Sequence, residues 1–336
     1  MGENMNRRLG SLCVIVAWAI CNVACAGETE DTNATTTDGA SDPGNSGVSS
    51  AGDGVAEVDV YVAAGAGVAG LDPGKEVVNT VDGWTVDYDK LIVTVGHVRS
   101  ESTDLALDGV SGEIERGAYV VDLRQGAVRQ KLSRAEVYVE PFGSVEFADH
   151  EFDMAGASAA SRLLEPATDA DYDLMVKGGY SIYMEGTLSN PAGQSCDLED
   201  PLTCTPVSTI TFKWGLVWAT SFTGCRGFVV DDDESASVTL TIPGDHWFRS
   251  NFTPDGTLPR RAQWIADADL DRNGETTLEE LKMSKASLLF TPKLDYDLAG
   301  SPIPIDTAHD FLEAQVRTVG LNTENGCQKG IPIAQP

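Results

Sequence analysis

Positive charge is scarce in this chain. Lys and Arg number 23 against 52 Asp and Glu, a formal net charge of −29. A protein that grips nucleic acid must neutralise phosphates with clustered cations, so nucleic acid is excluded as a partner. The same deficit excludes docking on anionic lipid through a basic patch. Histidine is scarcer still: His97, His150, His246 and His309 are the only four. None stands in H-E-x-x-H or H-x-H spacing, which excludes the common zinc-hydrolase motif. No G-x-S-x-G is present, and no serine has evident His and Asp partners. The segment "GLDPGKE", residues 70–76, fails as a phosphate loop, with Ala69 where the first Gly belongs and Glu76 in place of Ser or Thr. These absences leave no reason to expect an enzyme.

Long apolar runs are missing as well. "LGSLCVIVAWAI", residues 9–20, is too short to span a bilayer comfortably. Preceded by Arg7 and Arg8, it reads as the apolar core of a signal peptide. Val23 and Ala24 then lead to Cys25, as in a bacterial lipobox, although Asn22 stands where Leu is usual. Residues 1–25 are therefore expected to be a signal peptide, with lipid attached at Cys25. Residues 26–54 are almost wholly Gly, Ser, Thr, Asp and small residues, which cannot bury enough surface to fold, so a flexible tether is expected. The predicted plan is an exported protein held to the cell envelope by a lipid, in the outer membrane of a Gram-negative bacterium. The membrane is its expected partner through that lipid, and these residues name no protein or glycan partner.

Of the seven cysteines, Cys196, Cys204, Cys225 and Cys327 remain after the leader. Four cysteines allow three pairings, and none of their spacings suits a zinc site. "CDLEDPLTC" has the Pro and acidic residues of an exposed turn, so Cys196–Cys204 is expected to close it. Cys225–Cys327 would then close a long loop, worth about 4 kcal/mol, and tie the C-terminal segment back.

From residue 55 onward the hydrophobic pattern has the two-residue period of strands. "AEVDVYVAAGAG", "GWTVDYDKLIVTVGHVR", "GAYVVDL", "YSIYMEGTLS", "STITFKWGLVW" and "ASVTLTIPG" are separated by Gly, Pro, Asp and Asn clusters. A mainly β protein is predicted, an antiparallel β-sandwich over 55–256. A short helix is expected at 157–164, and another at 305–317 with Ile305, Ala308, Phe311, Leu312 and Val316 on one face. Trp214, Trp218 and Phe222 have strand spacing and are expected in the core.

The strongest motif lies at 269–280. "DLDRNGETTLEE" fits the EF-hand pattern D-x-[DN]-x-[DN]-G-x5-E. Asp269, Asp271 and Asn273 fall at positions 1, 3 and 5, and Gly274 takes the sharp turn at position 6. Glu275 would offer its carbonyl at position 7, Thr277 a hydroxyl or bridging water at position 9, and Glu280 both carboxylate oxygens at position 12. Ca²⁺ takes six to eight oxygens, and these residues supply them. Helical segments are expected on both sides, making 257–290 a small EF-hand-like insertion. Position 8, usually aliphatic and paired with a second loop, is Thr276. A second acid-spaced stretch, 295–306, carries two prolines and lacks a helical flank, and 169–173 lacks the Gly at position 6.

"KGGYSIYMEGT", "FKWGLVWATSFTGC", "TIPGDHWF", the calcium-type loop and "EAQVRTVGLNTENGC" follow in that order. The series resembles a family of uncharacterised bacterial exported lipoproteins, over roughly residues 80–327. The resemblance implies the same architecture and the Cys225–Cys327 pairing, and it implies no activity. Pro243 and Leu321 stand where relatives often carry His. A second metal site, for copper or zinc, is the alternative expectation at His246 and His309, and an adhesin or ligand-binding sandwich is another. The residues 291–336 are expected to form a C-terminal segment held back on the body by its disulfide.

Overall fold

The computed structural model describes residues 55–65, 78–102, 111–125, 129–138, 143–231, 235–252, 259–321 and 325–334. The leader, Cys25, the tether and the 70–76 segment lie outside them. The described chain is mainly β, as expected. Its largest element is a ten-stranded sheet. Seven of its strands run in the order β14 (Glu275–Thr276), β11 (Thr209–Leu216), β8 (Ile182–Ser189), β3 (Thr85–Ser102), β6 (Ser144–Met154), β12 (Thr220–Asp231) and β15 (Lys329–Pro332). Strands β2 (Val78–Asn79) and β4 (Ser111–Asp122) also pair with β3, and β7 (Arg162–Leu164) pairs with β4. A second sheet has the order β13 (Ala236–Ile242), β1 (Val55–Ala64), β5 (Arg129–Tyr138). A small hairpin joins β9 (Gln194–Cys196) to β10 (Cys204–Pro206).

Alternation in sequence becomes alternation in burial. In β11, Ile210, Phe212, Trp214 and Leu216 point inward, while Thr209, Thr211 and Lys213 face solvent. From the three-stranded sheet, Val58, Val60 and Val62 are wholly buried in the same apolar cluster as Phe152, Phe212, Trp214 and Phe222 of the larger sheet. The main core is thus the space between two sheets. Ile92, Val120 and Tyr183 alternate with the residues of that core and form a separate cluster with Met175, on the helix α1 (Asp169–Gly178).

Two expectations need correction. Pairing is not wholly antiparallel: β1 with β13, β4 with β7 and β11 with β14 are parallel. The short helix expected at 157–164 is absent, and β7 occupies the end of that stretch. Pro166 follows it, and the chain before a proline favours extended backbone. The helix starts instead at Asp169, where Thr168 and Asp171 cap each other reciprocally.

Four helices gather beyond β13. They are α2 (Gln263–Asp267), α3 (Leu278–Met283), α4 (Ala286–Leu289) and α5 (Ala308–Thr318). Phe311, Leu312 and Val316 of α5 are buried as its periodicity predicts. Phe311 stacks on Phe290 at 4.0 Å and meets Trp264 edge-on at 5.7 Å. The helices share the main apolar core with the sheets, and β14 and β15 join the large sheet from sequence positions beyond 256. The EF-hand-like segment is therefore built into the body rather than appended to it. Both expected disulfides, Cys196–Cys204 and Cys225–Cys327, are present.

Candidate metal centre

The stretch 269–280 turns back on itself between α2 and α3. Arg272 and Gly274 adopt left-handed backbone, with φ of 59° and 87°. Gly has no Cβ to oppose that conformation, which is why position 6 of such a loop needs it. The turn brings together one carboxylate oxygen each from Asp269, Asp271 and Glu280, all within 4.8 Å of one another. Two oxygens on one Ca²⁺, each at about 2.3–2.6 Å, are separated by at most about 5 Å, so the three fit a shared ion.

Backbone amides hold these carboxylates in place. Asp269 Oδ2 accepts from Gly274 N at 2.9 Å and its Oδ1 from Asn273 N at 3.1 Å. Asp271 Oδ2 accepts from Asn273 Nδ2 at 2.9 Å, and Asn273 Oδ1 accepts from Glu275 N at 2.8 Å. Glu280 Oε1 accepts from Leu270 N at 3.0 Å, ten residues back across the loop. Thr277 is the N-cap of α3, and Glu280, three residues on, completes a capping box with it. The Thr277 hydroxyl is engaged by that cap, donating to Glu280 Oε2 at 2.8 Å. Glu275 is exposed and sits in β14.

Position 8 has an unexpected answer. Thr276 pairs in parallel with Phe212 of β11, the strand next to the sheet edge, so the body takes the place of a second loop. Thr276 is fully buried, and its hydroxyl donates to Ile265 O at 2.8 Å. Trp214 Nε1 donates to Thr276 O at 2.8 Å. That carbonyl gives the buried hydroxyl its hydrogen-bond partner, so a threonine is tolerated where an aliphatic residue is usual. The disulfide hairpin grips the other side. Cys196 N donates to Asp267 Oδ1, and Arg272 Nη1 donates to Thr205 Oγ1, both at 2.8 Å.

Burial is the leading cause of the electrostatics. Asp269 is 2% exposed, and its carboxyl is raised above the usual range by that burial. The Gly274 and Asn273 amides oppose the rise, while Glu280 and Asp271 add to it. Asp267, just before the loop, is pushed up to about 6, again chiefly by burial. None of Asp269, Asp271 and Glu280 has an ion pair among the described residues, since Arg272 turns towards Asp197 instead, at 3.9 Å. Sequence reasoning passed over Asp267, whose only signal is its place two residues before the motif.

His246 and His309 do not meet. His246 is 3% exposed, with Nε2 3.0 Å from Thr318 Oγ1 at the last residue of α5. His309 is the second residue of the same helix. Nine residues of α-helix span roughly 13 Å, too far for a shared ion. Burial, with the Arg249 charge adding to it, pushes His246 well below its ordinary range, so it is a neutral core residue. Asp245 beside it pairs with Arg260 at 2.5 Å. Of the three aromatics placed in the core from sequence, Trp214 and Phe222 are fully buried and Trp218 is partly so.

No family model, no characterised protein and no solved structure matches this chain.

Proposed function

We propose that the chain is a lipid-anchored protein of the cell envelope that binds one calcium ion at 269–280, with the ion in a structural role. The observation that carries the metal reading is the convergence of Asp269, Asp271 and Glu280 with no cationic side chain among them. Like charges held this close repel, and an oxygen-seeking divalent cation relieves that cost. The loop ties α2 and α3 to the edge of the large sheet and to the disulfide hairpin, so an ion there would stiffen four elements at once. A single loop in an extracellular setting is expected to bind at roughly 10⁻⁴–10⁻³ M, suited to a site that stays loaded outside the cell.

An ion that binds only the folded chain stabilises it by RT ln(1 + [L]/Kd), about 1.4 kcal/mol at ten times Kd. Millimolar Ca²⁺ should therefore raise the melting temperature by a few degrees, and Mg²⁺ should do so poorly because it demands a tighter octahedral shell. Glu280→Gln should remove most of the rise while keeping the capping box, since Gln also caps. Equal shifts in wild type and Glu280→Gln would leave the stretch an ordinary acidic turn. Export rests on Arg7, Arg8, the apolar stretch 9–20 and Cys25. Intact mass of detergent-extracted protein should show a mature chain beginning at Cys25 with an added diacylglyceryl group. A mature chain without that mass would rule out the anchor.

A further inference from the structure

Outside the loop, one other group of metal-ligating side chains converges among the described residues. His309, Asp310 and Glu313 each place one ligand atom within 4.8 Å of the other two. They occupy positions i, i+1 and i+4 of the first turns of α5, where i and i+4 share a face. Their side chains are 20%, 30% and 19% exposed, so the group is partly buried yet open to solvent.

Each of the three is held by something else. Asp310 Oδ2 accepts from Thr307 N at 2.9 Å and from Asp306 N at 3.1 Å, as the capping residue of α5. Its Oδ1 lies 3.9 Å from His309 Nδ1. Glu313 Oε1 accepts from Arg317 Nε at 2.9 Å. The His309 ring meets Trp218 edge-on at 4.8 Å. Ligands fixed by outer partners in this way lose little freedom when a metal binds.

We propose that His309, Asp310 and Glu313 form a second divalent-cation site that takes an imidazole-seeking transition ion of the Zn²⁺ or Co²⁺ class. One nitrogen and two carboxylates make a mixed nitrogen–oxygen set of three donors, with further positions left to water. Calcium is disfavoured, because it wants six to eight oxygens and the site offers no such shell. Arg317 offsets the Glu313 charge, so binding rests on coordination rather than on a strong negative field. This site is independent of the calcium loop.

Co²⁺ is the probe, because it quenches a nearby indole and shows visible absorption when bound. Trp218 is the one described tryptophan that is not fully buried, and it touches the ligand. Titration of the full chain with Co²⁺ should quench part of the tryptophan emission saturably, one ion per chain, with reversal by Zn²⁺. Trp218→Phe should remove most of the quench while keeping the visible absorption. His309→Ala should weaken binding at least tenfold, and His309→Gln should do the same in a chain of unchanged circular dichroism. Glu280→Gln should leave Co²⁺ binding as it is. Absence of saturable binding at 1 mM Co²⁺ (roughly the weak end of protein metal sites), binding that survives both His309 variants, or loss of binding in Glu280→Gln would each overturn the site.

Discussion

Two buried aspartates in this molecule have opposite fates. Asp59, on β1, faces Arg134 Nε at 2.7 Å, Lys131 Nζ at 2.6 Å and the Tyr61 hydroxyl at 3.1 Å. Those partners, Arg134 foremost, hold its carboxyl well below the usual range despite burial. Asp269 is as buried, yet its partners are two backbone amides and two other carboxylates, and its carboxyl is raised. Asp267 beside it is raised to about 6. Cations thus balance Asp59 on the three-stranded sheet, while none pairs with the loop carboxylates among the described residues. Asp59, whose charge Arg134 and Lys131 already balance, has little left for an outside cation. An acidic cluster without such partners has charge left for one.

The sharpest way to break this contrast is to neutralise one aspartate in each corner. Asp59→Asn should destabilise by about 2 kcal/mol at pH 7, because charged hydrogen bonds are lost, with some discount for the half-exposed Arg134 and Lys131. Its folded carboxyl lies below the unfolded value, so the penalty is full above about pH 4 and shrinks as pH falls below it. Asp267→Asn should act in the opposite direction. Its folded carboxyl lies above the unfolded value, so the folded chain binds more protons between about pH 4 and 6, and wild-type stability falls as pH rises through that window. An amide oxygen still accepts from Cys196 N and Gln263 Nε2, which Asp267 Oδ1 serves now. The variant should gain about 1 kcal/mol at pH 7, a fraction of the shift because Asp267 is partly exposed, and the gain should vanish by pH 4. Urea unfolding at pH 4 and pH 7 reads both. Two changes of the same sign at pH 7 would mean that the corners do not differ in the way their partners suggest.

What the sequence revealed and what it hid divide along the same physical line. The ligand pattern at 269–280 is local, with each carboxylate fixed to the others through a dozen residues of chain, and the carboxylates do converge. The alternation of Ile210, Phe212, Trp214 and Leu216 is local too, and it set the buried face of β11. The partner of Thr276 is not local. Nothing near it in sequence shows that β11 lies alongside, 64 residues away by the Phe212↔Thr276 register. The same holds for the parallel match of β1 with β13. The missed helix is different, because its signal was present. Thr168 and Asp171 have capping-box spacing, whereas the Ala-rich 157–164 suggests a helix by composition alone. His246 and His309 looked close because both flank the loop in sequence. Only the fold shows that α5 holds them at its two ends.

The smallest expected effect tests how much of the loop's pull on a cation is charge and how much is geometry. Asp271 is the exposed member of the three carboxylates, at the position where the pattern accepts either Asp or Asn. Asp271→Asn removes one charge and keeps an oxygen in the same place. The amide oxygen can still accept the Asn273 N–H that Asp271 Oδ1 now takes at 3.1 Å. An exposed change of this kind should move the calcium-free melting point by no more than about 0.5 kcal/mol in stability. Calcium affinity should fall by a few-fold, less than for Glu280→Gln, because one neutral oxygen replaces one charged one while the bidentate glutamate stays. Raising salt should narrow the gap between wild type and Asp271→Asn, since the difference is electrostatic at an exposed position. Calorimetric titration with Ca²⁺ at low and high NaCl measures both terms. An Asp271→Asn affinity as poor as that of Glu280→Gln would show that the ion depends on the exact carboxylate at position 3, and that summed charge is the wrong account of this corner.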